Sequence, residues 1–330
     1  MKHTHQRLQM SLLQSIWKPN VTKAVVCCVH EEQRVVLAQC TDRSDPTSLI
    51  ATETIPRSST NNEQARIRKT KALTKLNGRR LALTVPVNQC KVQHIRVEST
   101  NPTEIESEVH RQLADINGWD ESAFTSVFIH SRKTHPSHRV FGIGALHQDI
   151  KSRIMSPELS RLTPVSVDLE EFACIRGVFQ NNLANGKQLG FMFARITGSV
   201  LLLALVTEHC DVQMIRKIDL ETNQSGATSL NDQKIVHEIE MFIISSSQSS
   251  LSPTNPVLYV SDESTTSETT LSCMMQQLSV PCVSINTLEI VHGYGVNLIH
   301  HNGMNPYQAL VMIGLLTSNT EGYSNGNPAA

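Results

Sequence analysis

Aromatic residues are scarce: 2 Trp, 4 Tyr and 8 Phe make up 4% of the 330-residue chain. A core with so few rings must be mostly aliphatic, and 39% hydrophobic content is enough to build one. Charge of one sign is also lacking, since 29 basic residues stand against 30 acidic ones for a formal net charge of -1. No basic surplus points to nucleic acid. Nor does any apolar run approach the roughly 18 residues of a membrane span. The longest, Val200 to Val206, is a strand-length heptad. Near the N-terminus the apolar residues are broken by Gln9, Ser11, Gln14 and Ser15, so no secretory leader is expected. The eight cysteines contain no CxxC pair and mostly lie inside apolar runs. That is the pattern of reduced, buried thiols in a cytosolic protein, not of a disulfide framework or a zinc site.

The common catalytic signatures are missing too. There is no GxSxG, HExxH, P-loop or GxGxxG. Gly142-Ile143-Gly144 falls within a strand and opens no helix. His292, His300 and His301 lie in a Gly-rich stretch without an acidic or Cys neighbour at ligand spacing, so they do not read as a metal site. His130, His135 and His138 read as a solvated turn.

What is present is a long α/β alternation, too long for one ordinary core. Residues 1–20 form a mildly amphipathic segment with Leu8, Leu12, Leu13, Ile16 and Trp17 on one helical face, which reads as a docked or frayed terminus, the alternative being a segment that rests on a membrane surface or a partner. Residues 23–40 read as a β-hairpin and 41–62 as a polar loop. A basic helix over 63–76 follows, whose charge run from Arg66 to Arg80 reads as a solvated face because no aromatics interleave with it. Residues 81–163 then read strand, strand, helix, strand, strand, helix. Asn101 and Pro102 mark the start of the first of those helices, with Glu104 and Glu106 in its first turn.

The seam is Pro164 to Phe179. Val165 and Val167 alternate as in a strand, Asp168 reads as a helix N-cap, and Glu170 and Glu171 suit the positive end of the helix dipole. Beyond it come three strands over 189–196, 199–207 and 212–220, then a long helix with Ile235, Ile239, Phe242 and Ile243 inward. A strand over 257–260, a helix over 268–278, a strand over 280–285 and a helix over 306–316 complete the pattern. Two halves thus share one arrangement, with an α+β unit inserted in the first.

This arrangement resembles the actin/Hsp70-like ATPases, and more closely the PilM-type proteins of type IV pilus assembly. Relatives of that group are the competence and MSHA-pilus assembly proteins and the cytoplasmic domain of the type II secretion L protein. The resemblance rests on the strand Gly78 to Pro86 leading into an inserted subdomain, the segment Lys91 to Val97, and the helix begun by Asn101-Pro102-Thr103-Glu104. It rests also on the junction Leu162-Thr163-Pro164-Val165-Ser166-Val167-Asp168-Leu169-Glu170-Glu171-Phe172-Ala173 and the closing small-residue helix from Asn305-Pro306. It implies a duplicated actin-like (ribonuclease H-like) fold of two halves, with a small α+β subdomain inserted in the first. The units would be an N-terminal segment 1–22, a first half 23–86 with 160–185, an insert 87–159, a second half 186–316 and a disordered tail 317–330. It further implies a cytoplasmic protein, peripheral at the inner face of the inner membrane. Such a protein binds the N-terminal cytoplasmic peptide of a single-span membrane partner in a groove between the insert and its parent. Val92, His94, Ile95, Val97, Asp168 and Phe172 are the positions that would line that groove.

Members of the group also bind ATP, through glycines and acids in two β-hairpin phosphate loops. Here the first loop would carry Cys28 in the place of its acid and His30 in that of its glycine. The second would be Arg195, Thr197, Gly198 and Ser199, with Gly198 kept but no acid. The adenosine segment would hold Asp262 and Glu263 instead of a Gly-Gly pair. The implied function is an adaptor without ATP hydrolysis, and no cofactor is expected; ATP and Mg²⁺ would enter only if these loops still bind, with Arg195 available to a phosphate. The alternative is a working ATPase or sugar-kinase-like enzyme on the same fold.

Overall fold

The computed structural model describes residues 25–30, 34–40, 49–56, 80–130, 139–153, 162–197, 200–220, 228–247, 253, 255–262, 274 and 276–317. Among them the chain forms two five-stranded sheets of one topology. In the first, β1 (Val25–His30), β2 (Arg34–Cys40) and β3 (Leu49–Pro56) form an antiparallel meander. Next to β1, and parallel to it, runs β4 (Arg80–Val85), followed by β8 (Thr163–Leu169), giving the order β3-β2-β1-β4-β8. The second sheet repeats this with β9 (Phe191–Ile196), β10 (Val200–Val206), β11 (Val212–Asp219), β12 (Leu258–Asp262) and β13 (Cys282–Ser284) in the order β11-β10-β9-β12-β13. Even the hairpins correspond: His30 pairs with Val35 at the end of β1, and Ile196 with Leu201 at the end of β9. The fold is the duplicated actin-like arrangement.

Between β4 and β8 lies the inserted unit. It comprises β5 (Cys90–Arg96), helix α1 (Pro102–Asn117), β6 (Phe124–His130), β7 (Arg139–Leu146) and helix α2 (His147–Arg153), with an antiparallel sheet ordered β5-β7-β6. Helix α1 starts as the sequence predicts, with the Asn101 side chain accepting from the Thr103 amide at 3.0 Å and Pro102 at the first position. Its Ile105, Val109 and Leu113 pack with Ile95, Val97 and Phe124 in a small core of their own.

The central strands of the second sheet are buried on both faces, which is why β10 is apolar without a break and β9 is broken only by Arg195. Their residues still alternate. Phe191, Phe193, Leu202 and Ala204 join a core shared with the first half. Met192, Ala194, Leu201 and Leu203 pack instead toward helix α4 (Thr228–Ser247), whose buried face includes Ile235, Ile239 and Phe242.

The halves meet where helix α3 (Glu170–Ala184) crosses helix α6 (Pro306–Thr317). The contact is reciprocal. A Cβ on Gly177 would stand 2.0 Å from the Leu310 carbonyl oxygen, and one on Gly314 would stand 1.8 Å from that of Ala173. Only glycine at these two positions lets the backbones come so close. Asn181 of α3 adds a polar tie: its Oδ1 accepts from the Val291 and His292 amides at 2.8 and 3.2 Å, and its Nδ2 donates to the Glu289 carbonyl at 3.0 Å.

Several expectations are corrected. Part of the predicted loop 41–62 is the strand β3, held by its ladder to β2. The Gly-rich stretch near His300 contains helix α5 (Gly293–Asn302), with the buried His292 preceding it at the N-cap position. Asp168 is no helix cap. Pairing with Thr84 and Val85 carries β8 on to Leu169, which takes the N-cap position without a side-chain hydrogen bond. The Asp168 carboxylate instead forms an ion pair with Arg176, whose Nε donates to the Gly314 carbonyl at 3.3 Å. The second helix expected within 81–163 is described only as α2, and the expected helices over 63–76 and 268–278 lie wholly or mostly outside the described residues.

Candidate functional site

The most concentrated buried polar chemistry lies where the two halves face each other. Helix α3 begins with Glu170 and Glu171, which are 5% and 0% exposed. Both Glu171 oxygens accept from the Val87 amide, at 3.2 and 3.0 Å. Val87 opens the 3-10 turn Val87–Gln89 that follows β4. Glu170 Oε2 is approached by the Thr84 hydroxyl at 3.5 Å. From the second half comes Arg195 of β9, 3% exposed. Its Nη1 donates to the Ser261 hydroxyl at 2.7 Å, and its guanidinium lies 3.9 Å from the centroid of the Tyr307 ring.

Burial governs the protonation here. Burial, and after it the neighbouring Glu170 carboxylate, push the Glu171 carboxyl up to about 8, against the opposing pull of Arg195 and the Val87 amide. One guanidinium balances one carboxylate, and the pair keeps a proton at neutral pH. Burial likewise raises Cys174 and Tyr307 well above their ordinary values, with Arg195 opposing it in both. Cys90 is pushed up to about 12, by burial and then by Glu171. These groups are a buried electrostatic network and not nucleophiles poised for attack.

The residues at the expected nucleotide loops are placed as follows. Cys28 is a buried core residue of β1 and offers sulfur, not a carboxylate, where an oxygen ligand for Mg²⁺ would be needed. His30 ends β1, and its side chain lies outside the described residues. Arg195 turns its guanidinium into the protein, to Ser261 and Tyr307. Thr197 closes the β9–β10 turn, its hydroxyl donating to the Val200 carbonyl and accepting from the Val200 amide, both at 3.1 Å. Gly198, Ser199 and Glu263 lie outside the described residues. Asp262 ends β12, and its carbonyl accepts from Asn286 at 3.5 Å. A buried cation and a thiol at these positions do not fit a Mg²⁺–nucleotide.

The six groove positions divide. Ile95 and Val97 point into the core beneath α1, and Phe172 is buried between the halves, so none of the three presents a surface. Asp168 is committed to Arg176. Val92 and His94 lie on the sheet face away from α1, opposite Ile143 and Phe141 in the ladder, with the His94 ring 4.5 Å from that of Phe141. Across β7 from them stand Val127 and Ile129 of β6.

Reading the sequence alone misses Glu170 and Glu171 as a buried pair, because acids at a helix start ordinarily face solvent. Two signals were available: the acids sit directly after a strand, and Arg195 interrupts an otherwise apolar strand. Among the described residues no cluster could hold a metal, and no helix is long and apolar enough to cross a membrane.

No family model matches the sequence, and no curated protein matches it. Solved structures do. A chain of a PilM-PilN type IV pilus biogenesis complex is similar over 92% of this chain and 100% of its own, with a TM-score of 0.61 at 15% identity. A Bacteroides thetaiotaomicron protein with an actin-like ATPase fold and unknown function covers 88% of this chain and 96% of its own, with a TM-score of 0.46 at 7% identity. The cytoplasmic domain of EpsL, an inner-membrane component of the Vibrio cholerae type II secretion system, covers 88% and 94%, with a TM-score of 0.43 at 8% identity. The chain has the actin-like ATPase fold and is PilM-like in structure.

Proposed function

We propose that this chain is an actin-like adaptor of a type IV pilus or related secretion platform. In this reading it works in the cytoplasm at the inner face of the inner membrane, where it captures the N-terminal cytoplasmic peptide of a single-span partner. It does not hydrolyse ATP. The observation that carries the reading is the likeness over essentially the whole chain to a chain of a PilM-PilN complex. The reading of no hydrolysis is supported by the chemistry of Cys28 and Arg195, which supply no carboxylate to hold Mg²⁺ or to orient a water at the two loops. On that sheet face the half-buried Val92, Val127 and Ile129 and the exposed His94 offer the peptide an apolar strip with a polar edge.

Titration calorimetry tests the first part, using the synthetic N-terminal cytoplasmic peptide of a candidate single-span membrane partner. Saturable binding is expected, and no heat at millimolar peptide sinks the adaptor. Thermal melting with Mg²⁺–ATP tests the second. The expected result is an unchanged midpoint. A rise of several degrees that is lost in Arg195→Ala, accompanied by phosphate release, would restore the ATPase or kinase reading.

A further inference from the structure

Lysine is out of place on the inner face of β11. Residues of this strand alternate: Met214, Arg216 and Ile218 turn toward α4, where Arg216 pairs with Glu238 at 2.9 Å. Ile215 turns the other way, into the core shared with the first half, and the half-buried Lys217 follows it at the margin of that core, opposite Leu202 in the ladder. An ammonium there is costly unless it has a partner. Its partner belongs to another part of the molecule: Lys217 Nζ donates to the Cys90 carbonyl at 2.9 Å, where the inserted unit begins.

That carbonyl adjoins a small hub. The turn Val87–Gln89 and Cys90 are gripped from three directions. Glu171 of the first half holds the Val87 amide. Arg153, at the end of the insert's exit helix α2, donates to Gln89 Oε1 from Nε and Nη2 at 3.3 and 3.1 Å. Lys217 of the second half holds Cys90. The chain enters and leaves the insert at one pivot, and the second half has a hand on it.

We propose that Lys217 is a positioning residue: a strut through which the second half sets the insert's place and so transmits its own position to the β5-β7-β6 sheet. The link to partner affinity rests on the adaptor reading above; the strut itself does not.

The test uses the full chain and two variants, Lys217→Met and Lys217→Arg, compared by hydrogen exchange and by peptide titration. Lys217→Met is expected to speed amide exchange across residues 87–96 on the order of tenfold, the scale of one lost charged hydrogen bond, while β1 and β10 keep their rates. Peptide affinity should fall several-fold in the same variant, and Lys217→Arg should keep both properties near the parent. Exchange over 87–96 unchanged in Lys217→Met overturns the strut, as does an increase spread equally over β1 and β10. Parent protein that binds no peptide while the local exchange effect holds removes the adaptor reading and leaves the strut standing. Localised exchange without an affinity change in a binding-competent protein overturns the transmission to the sheet.

Discussion

Arg195 and Tyr307 are stacked, guanidinium over ring at 3.9 Å, with each residue only 3% exposed. One comes from the first strand of the second sheet and the other from the first turn of α6. Their contact places a fixed positive charge beside two buried glutamates. Replacing Arg195 with Met should leave those carboxyls without their counter-charge and cost about 3–5 kcal/mol. Lysine should recover only part of this, since it cannot both donate to Ser261 and lie flat on the ring. Urea denaturation at pH 7 measures both; a Met variant within about 1 kcal/mol of the parent would show that the cluster is not organised by charge.

Glu171 makes stability depend on pH. Its carboxyl is raised from 4.5 to about 8 in the folded state, so between those values the folded protein binds the extra proton. That contribution is complete below pH 4.5 and disappears as pH rises through about 8, with a slope of at most about 1.4 kcal/mol per pH unit. Glu171→Gln, which carries no titrating proton, should flatten the decline between pH 4.5 and about 8. Unfolding midpoints across that range check it, and an unchanged slope in the Gln variant would refute the assignment.

At the α3–α6 crossing, Gly177→Ala and Gly314→Ala should each cost about 3 kcal/mol or more, above the ordinary range of overpacking. The obstructing atoms are backbone, at 2.0 and 1.8 Å, and cannot rotate away. Gly186→Ala is the contrast. It meets nothing within 4 Å but has φ +62°, so its cost of about 1 kcal/mol is conformational. Thermal melts of the three variants should rank in that order.

Asn181→Ala should be worse than its size suggests. It strands the Val291 and His292 amides and the Glu289 carbonyl, for a loss of about 2–4 kcal/mol. Local exchange at residues 289–293 should increase more than exchange in β9, and equal increases would argue against a local tie.

The sequence shows the fold best where local and global signals agree. Asn101-Pro102 opens α1 as expected, and the heptad Val200–Val206 is a strand. β3 is harder to see because Thr52, Glu53 and Thr54 look like a loop; their strand state comes from pairing with β2. Asp168 has the chemistry of a cap, but the ladder to β4 extends one residue past it. The candidate site is the least legible part. Glu171, Val87 and Arg195 are brought together by the crossing of two halves, and no short window of sequence contains that crossing.

The crossing has a consequence in time as well as in space. A ribosome extends the chain from its N-terminus, so α3, with its bare glycine side, emerges well before the helix that covers it. Until Pro306–Thr317 has been made, Ala173, Gly177 and the buried carboxyls of Glu170 and Glu171 have no lid. The first half must wait, or be guarded, while the second is synthesised.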